Sequence, residues 1–214
     1  TSEKHDKKSA ERWDVLLNRL FIEPVLGMGY PTASFPILKK LDAYIKPGDL
    51  EKLSFDFDFI GIQNYTREVV KKMGLIPIMK GLEIKPEKRN VQEITDMGWE
   101  VYPEGMYQII KQFAAYPGVK KIIVTENGCA FPDEVILGKV KDLKRIDYYQ
   151  RYLKQVLRAK QEGVNIGGYF CWTLLDNFEW SEGYAPRFGL VHVDFKTQKR
   201  LIKDSGYWFR DFLG

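Results

Sequence analysis

The stretch Lys121-Ile122-Ile123-Val124-Thr125-Glu126-Asn127-Gly128 is the strongest indication of fold, because it places a carboxylate directly after a short apolar segment. Runs rich in β-branched residues are typical of strands that are buried on both faces of a parallel sheet. We therefore predict a strand from Lys121 to Thr125 that ends just before Glu126. The carboxyl ends of parallel strands form the edge at which α/β folds hold their active sites.

A second segment of this kind is Gly168-Tyr169-Phe170-Cys171-Trp172-Thr173-Leu174-Leu175-Asp176-Asn177-Phe178-Glu179-Trp180, which passes from a strand pattern into aromatic and acidic residues. Aromatic faces stack on the C–H surfaces of sugars, and acids accept hydrogen bonds from hydroxyls. One carboxylate can also attack an anomeric carbon. Glu126 opposite Trp172, Glu179 and Trp180 is the pattern of a sugar-cleaving pocket.

The remaining elements alternate in type. We predict strands over 58–65 and 167–173 beside the one at 121–125, with helices over 103–113, 142–162 and 203–212. This alternation indicates an α/β fold with a parallel sheet. The other predicted elements are helices over 10–20 and 34–45, a hairpin arm near 77–84 and an extended piece over 190–195. We expect one domain over 1–214, with a flexible, polar stretch over 1–9.

Composition limits the classes of protein. The chain has 214 residues and a net charge of +4, without a basic stripe, so nucleic acid is not an expected partner. No apolar run reaches the roughly 18 residues of a membrane span, and no signal-peptide pattern is present. The two cysteines, Cys129 and Cys171, fit no zinc spacing. Two buried free thiols in a cytoplasmic protein are favoured over a disulfide.

Three ordered segments resemble one known family. Thr125 to Gly128, the block Gly168 to Asp194 and the segment Asp96 to Gly105 are all similar to motifs of family 1 glycoside hydrolases, the β-glucosidase family. The resemblance implies a (β/α)8 TIM barrel, of which this chain would supply the C-terminal portion, roughly strands 6–8 with their helices. It implies that Glu126 is the nucleophile and that Tyr65 hydrogen-bonds it.

The same resemblance assigns a sugar-binding wall to this chain. Gln63 stands where the family usually has Asn, Trp172 would form a platform under the sugar ring, and Glu179 and Trp180 would contact its hydroxyls. Phe188 would pack at the pocket rim. Alternatives stay open: core packing for the aromatic residues, and a salt bridge to Arg187 for Glu179. The resemblance implies no cofactor, and we see no metal-ligating cluster.

The family's Asn-Glu-Pro motif, which carries the general acid/base, has no match. Glu23-Pro24 follows Ile22 and is expected in a loop, so it does not qualify. We therefore expect a C-terminal fragment of a retaining β-glycosidase that is inactive alone. Its partners would be a β-glucoside or oligosaccharide substrate and the missing N-terminal barrel portion. A non-catalytic carbohydrate-binding or assembly module is the alternative, and a pseudo-barrel of two copies is a third.

Overall fold

The computed structural model describes residues 4–214. By its contacts, the chain divides into two compact units, Thr1–Asp58 with Glu68–Arg89, and Phe59–Arg67 with Asn90–Gly214. The single partial domain expected over 1–214 stays a prediction.

The elements are, in chain order, α1 (Lys4–Asp14), a π-helical turn (Val15–Arg19), α2 (Leu20–Val25), a 3-10 helix (Pro36–Ala43), α3 (Asp49–Leu53), β1 (Ile60–Gln63), β2 (Val70–Lys72), β3 (Gly81–Glu83), a 3-10 turn (Pro86–Lys88), α4 (Pro103–Ala114), β4 (Ile122–Asn127), β5 (Val135–Ile136), β6 (Lys139–Val140), α5 (Leu143–Gln161), β7 (Ile166–Cys171), a 3-10 turn (Trp180–Glu182), β8 (Val191–Val193), β9 (Arg200–Ile202) and α6 (Asp204–Leu213).

The first unit begins with helical structure that is longer than the sequence indicated. Instead of one helix over 10–20, α1, the π-helical turn and α2 follow each other without a break. The flexible stretch expected over 1–9 is helical from Lys4, while residues 1–3 lie outside the described part. The burial of Asp6 and Ser9 explains why the chain is already helical in this stretch. The Asp6 carboxylate accepts a hydrogen bond from Lys72 N (2.6 Å), and Ser9 Oγ donates to Lys80 O (2.8 Å).

The rest of the first unit packs on a small apolar core of Val15, Phe35 and Leu38. The helix expected over 34–45 is a 3-10 helix that starts at Pro36, and Ser34 does not cap it. The Ser34 hydroxyl accepts a hydrogen bond from Arg19 Nη1 instead (3.0 Å). β2 and β3 pair antiparallel, which confirms a hairpin arm near 77–84.

The second unit is built on a three-stranded parallel sheet in the order β1-β4-β7. The helix α4 connects β1 to β4, and α5 connects β4 to β7. This confirms the predicted alternation. In the middle strand, Ile122 and Val124 are almost completely buried, as a strand covered on both faces requires. β4 also runs two residues further than predicted, so Glu126 and Asn127 belong to its end.

The long helix α5 packs a stripe of tyrosines into this unit. Tyr148, Tyr149 and Tyr152 have no exposed surface. Asp142 occupies the residue before the helix, and its side chain makes no cap hydrogen bond. Two short antiparallel pairs, β5–β6 and β8–β9, and the helix α6 complete the unit. The extended piece predicted over 190–195 is β8, and its pairing with β9 was not predicted.

Within residues 4–214, no helix has both the length and the apolar character needed to cross a bilayer.

Candidate active site

Glu126 and Tyr65 meet at the carboxyl edge of the parallel sheet. Glu126 lies near the end of β4, and Tyr65 follows β1, its neighbour in the sheet. The Tyr65 hydroxyl donates a hydrogen bond of 2.7 Å to Glu126 Oε2. Burial raises the pKa of Tyr65 far above its usual value, and the hydrogen bond to Glu126 raises it further. The phenol therefore stays neutral and remains a donor to the carboxylate.

Gly128 allows the chain after Glu126 to pass close to β7. A Cβ atom at this position would lie 1.8 Å from the carbonyl oxygen of Trp172, far inside van der Waals contact. The main chain also connects the two strands here, since Trp172 N donates to Asn127 O (2.8 Å). A side chain at position 128 would therefore push apart the strand ends that carry Glu126 and Trp172.

Asn127 is a residue that the sequence reasoning missed. It is completely buried and makes three side-chain hydrogen bonds. Its Nδ2 donates to Asn64 O (2.6 Å) and to Tyr148 Oη (2.9 Å), and its Oδ1 accepts from Tyr169 Oη (2.6 Å). The signal available in the sequence was its position beside Glu126 at a strand end, where a polar residue entering the interior must find partners.

Three aromatic rings pack together behind the carboxylate. The Tyr65 ring lies 5.3 Å from the ring of Trp99 and 6.3 Å from that of Phe188, measured between centroids. Phe188 is only 1% exposed, which favours the core alternative over a place at the pocket rim. Phe188 therefore supports Tyr65 from inside the protein. Trp99 also contacts Tyr65.

An ion pair holds Trp99 against Tyr65. Arg67 donates from Nε and Nη2 to the two carboxylate oxygens of Glu100 (2.9 and 2.8 Å), and Glu100 is 5% exposed. Thr66 Oγ1 also donates to Glu100 O (3.0 Å). Thr66 and Arg67 follow Tyr65 directly, and Glu100 follows Trp99. These bonds therefore fix the two segments that carry the aromatic pair.

The segment after β7 presents an acid between two tryptophans. Glu179 Oε1 accepts hydrogen bonds from Trp172 Nε1 (3.1 Å) and from Asn177 Nδ2 (2.7 Å). The salt bridge from Glu179 to Arg187, which was the alternative, does not form, because Arg187 pairs with Asp176 (3.1 Å). Trp180 is 83% exposed, so its face is free for an external group.

Gln63 is the last residue of β1 and faces β4. Its Cα is the register partner of the Cα of Glu126, and its side chain is exposed. The register between the two strands shifts between Ile62 and Gln63, one step before the carboxylate. Such irregularities redirect side chains and are common beside active sites. The structure thus places Gln63 and Tyr65 next to the strand end that carries Glu126.

Asp176 does not belong to this exposed edge, although its place after the third strand suggested so. It is 4% exposed and accepts hydrogen bonds from Gly189 N (2.9 Å) and Val193 N (3.2 Å). Its Oδ1 also lies 2.9 Å from the ammonium of Lys203, which contacts Asp133 as well. Asp176 thus closes the loop that carries Glu179.

A cluster of two acids and a histidine, which the sequence did not indicate, is formed by Asp133, Asp176 and His192. Their ligand-type atoms lie within 4.8 Å of one another, and His192 is half-buried. The ammonium of Lys203 contacts both carboxylates, so a protein cation already provides the positive charge there. Burial, followed by the charge of Arg145, lowers the pKa of Lys203.

Glu23 belongs to the first unit and lies inside the helix α2 instead of the expected loop. It is 6% exposed, and its Oε1 accepts a hydrogen bond from Arg19 Nε (2.5 Å). This partly buried ion pair gives it a structural role.

The parallel sheet carries an acid–tyrosine pair at its carboxyl edge, and an exposed tryptophan and a second acid follow the neighbouring strand. This arrangement is typical of a (β/α)8-barrel glycoside hydrolase. The model of glycosyl hydrolase family 1 matches residues 1–214. The chain belongs to that family, and its sheet and helices are part of the family's (β/α)8 barrel, as the sequence resemblance implied.

Individual relatives agree with this assignment. The chain is 42% identical to "Beta-glucosidase A" of Acetivibrio thermocellus over 97% of its length. It superposes on the family 1 β-glucosidase of Thermotoga maritima with a TM-score of 0.89 at 37% identity, over all of this chain and 47% of that one. For the AHE enzyme of Alicyclobacillus herbarius the TM-score is 0.91 at 36% identity, over 99% and 47%. This chain thus spans about half the length of the relatives that it matches, 47% for the Acetivibrio enzyme.

Proposed function

We propose that this chain supplies the nucleophile and the sugar-binding wall of a retaining β-glycosidase of the β-glucosidase type. The single observation that carries the proposal is the 2.7 Å hydrogen bond from Tyr65 to the Glu126 carboxylate at the carboxyl edge of the sheet. A carboxylate in this position can attack the anomeric carbon of a β-glucoside and form a covalent glycosyl-enzyme. The bond from that carbon to the leaving oxygen breaks as the new one forms.

Tyr65 orients the attacking carboxylate. As a neutral donor it fixes Oε2 of Glu126, the oxygen of the carboxylate nucleophile that it contacts. Hydrogen bonds to charged groups contribute about 1.5–3 kcal/mol. The packing of Tyr65 against Trp99 and Phe188 limits the movement of its ring, so that the donor is in place before the substrate arrives.

The sugar itself would lie against the segment after β7. Glu179 accepts two hydrogen bonds on Oε1, whereas Oε2 has no partner among the contacts that the structure describes. Oε2 can therefore accept hydrogen bonds from sugar hydroxyls. The exposed ring of Trp180 and the half-buried ring of Trp172 offer faces for stacking. We propose that Gln63, which is exposed beside Glu126, donates to a hydroxyl close to the reacting carbon.

The reaction also requires a general acid. Retaining enzymes hold the second carboxyl group about 5–5.5 Å from the nucleophile, where it protonates the leaving oxygen and later activates water. We propose that this acid comes from the part of the family barrel that the chain does not match, in the same polypeptide or in a second one. Glu23 is unsuitable because Arg19 already neutralises it in the interior of the first unit.

A mechanism-based fluoro-sugar tests the proposal. A 2-fluoro-β-glucoside with a dinitrophenolate leaving group needs no general acid for its departure, so it should label Glu126 in the protein completed with the remaining strands. Peptide mass spectrometry locates the label. Glu126→Gln should abolish labelling, whereas Glu51→Gln, a matched change at an exposed glutamate of α3, should not affect it. A label on another residue, or none, contradicts the proposal.

Hydrolysis of an aryl β-glucoside, measured with and without the remaining strands, tests the dependence on them. Full turnover by this chain alone would refute it. The non-catalytic alternative makes the opposite prediction, because a binding module should show affinity for glucose unaided in calorimetric titration, without any label on Glu126.

We also propose a cytoplasmic location. Cys129 and Cys171 are free, with Cys129 buried. Unpaired thiols are typical of a reducing compartment.

A further inference from the structure

Asn127 has a carboxamide whose hydrogen-bonding groups are committed within the protein. Both hydrogens of Nδ2 are used, on Asn64 O after β1 and on Tyr148 Oη of α5, while Oδ1 accepts from Tyr169 Oη of β7. One side chain thus connects all three strands of the sheet and the helix behind it. Since Asn127 follows Glu126 directly, these bonds fix the backbone that carries the carboxylate.

The sheet needs such a connection at this point because its ladders are irregular there. The β1–β4 register shifts between Ile62 and Gln63, and the β4–β7 register shifts between Val124 and Asn127. The Asn127 amide donates to a main-chain carbonyl beyond the first shift. Regular pairing therefore does not determine the direction of the Glu126 side chain by itself, and the buried amide contributes to it.

The same layer of tyrosines reaches the hydrogen-bond donor of Glu126. Tyr148 stacks on Tyr152, with 4.1 Å between ring centroids and 20° between planes. Tyr152 Oη donates to the carbonyl oxygen of Tyr65 (3.3 Å) and accepts from Tyr102 N (3.1 Å). The buried face of α5 thus contacts two residues that surround the Glu126 carboxylate. One is Asn127, the next residue in the chain, and the other is Tyr65, whose hydroxyl donates to the carboxylate.

We propose that Asn127, Tyr148, Tyr152 and Tyr169 are positioning residues that fix the Glu126–Tyr65 pair in the geometry for attack. This inference rests on the proposed role of Glu126 as the nucleophile, and none of the four touches the substrate. Burial raises the pKa of Tyr148 and Tyr169 well above their usual range and that of Tyr152 to about 12. The three hydroxyls therefore stay neutral at every pH at which the enzyme would work.

The expected effect follows from the geometry of nucleophilic attack. The carboxylate oxygen must approach the anomeric carbon within a narrow range of distance and direction, and a displacement of about 1 Å can cost on the order of a hundredfold in rate. Binding of the sugar depends on the segment after β7 and should not change. Loss of a positioning hydroxyl should therefore lower the rate of the bond-forming step and leave substrate affinity intact.

The test uses the 2-fluoro-glucoside with the completed protein, and follows release of dinitrophenolate over a range of reagent concentrations. In this reaction the bond from Glu126 to the anomeric carbon forms while dinitrophenolate leaves with its electron pair. The variants are Tyr169→Phe and Tyr148→Phe, each of which removes one hydroxyl from Asn127. Tyr107→Phe is the matched control, since its hydroxyl donates to Glu162 (2.6 Å) on the surface, outside this layer.

For Tyr169→Phe and Tyr148→Phe we expect the limiting rate constant to fall by about 10- to 100-fold, with an unchanged dissociation constant for the reagent. Tyr107→Phe should behave as the parent protein. The amplitude of dinitrophenolate release counts the folded sites, so the rate constant refers to folded molecules only. If one of the two variants fails to fold, the other still tests the inference. An unchanged rate constant with a lower melting temperature would show a structural role alone and overturn the inference. If the parent protein is not labelled at Glu126, the proposed function itself fails.

Discussion

Replacement of Lys203 by methionine should destabilise the second unit strongly. The Lys203 side chain is completely buried, and its ammonium contacts Asp133 and lies 2.9 Å from Asp176 Oδ1. Both carboxylates are also buried. Removal of one partner from a buried ion pair leaves an uncompensated charge, which costs about 3–5 kcal/mol. Arg187 and Arg145 remain near these carboxylates at 3.1 and 3.4 Å, which places the expected loss near the lower end of that range.

Urea unfolding, followed by tryptophan fluorescence, measures this change in the free energy of unfolding. Lys199→Met is the matched control, because Lys199 is exposed, and it should stay within about 0.5 kcal/mol of the parent. The double variant Lys203→Met/Asp133→Asn should be more stable than Lys203→Met, since it removes one of the two uncompensated charges. The coupling between these two sites should be about 1–3 kcal/mol.

Two results would refute the reasoning. One is a loss below about 1 kcal/mol for Lys203→Met, which would show that water or the arginines compensate the carboxylates. The other is a large loss that Asp133→Asn does not reduce, which would point to packing of the lysine stem as the cause.

Three further changes test other parts of the structure. Tyr65→Phe should lower the rate constant of fluoro-sugar labelling by about 10- to 100-fold, because a hydrogen bond to a charged group contributes roughly 1.5–3 kcal/mol; an unchanged rate would contradict its role. Gly128→Ala should lower the urea midpoint sharply, since the new Cβ would lie 1.8 Å from the Trp172 carbonyl oxygen. Gly74→Ala is the control and should leave the midpoint unchanged, because no atom lies within 4 Å of a Cβ at that position. Equal midpoints for the two variants would argue against the close approach at Gly128. The free energy of unfolding should fall as pH rises above about 10. Burial raises the folded-state pKa of three tyrosines above the unfolded value, so above this pH the unfolded chain loses these protons while the folded protein keeps them. Each of the three tyrosines then lowers the free energy of unfolding by about 1.4 kcal/mol per pH unit. These tyrosines are Tyr148, Tyr149 and Tyr169. Titration of tyrosinate absorbance alongside urea unfolding checks this, and ionisation of all tyrosines in the folded protein would exclude it.

The sequence determined the parallel sheet because its signals are local. Apolar β-branched runs gave strands close to β1, β4 and β7, and the 3.6-residue spacing of apolar side chains gave α4 and α5 within one residue at each end. The order of strands and helices then required a parallel arrangement, and three ordered segments, one of them the motif around Glu126, indicated the family. The first helices were predicted too short, since the buried contacts that order Asp6 and Ser9 come from Lys72 and Lys80, far along the chain.

Only the tertiary structure decided which polar groups lie at the candidate site and which lie inside. Asp176 and Glu179 are three residues apart and look alike in the sequence, but Asp176 is enclosed by Lys203, Gly189 and Val193, while Glu179 is held at the site by Trp172. Asn127 was likewise assigned by its hydrogen-bond partners, and Phe188 by its burial against Tyr65 and Trp99. The physical reason is that burial and hydrogen bonding of a polar side chain depend on residues distant in sequence, whereas strand and helix patterns depend on neighbours.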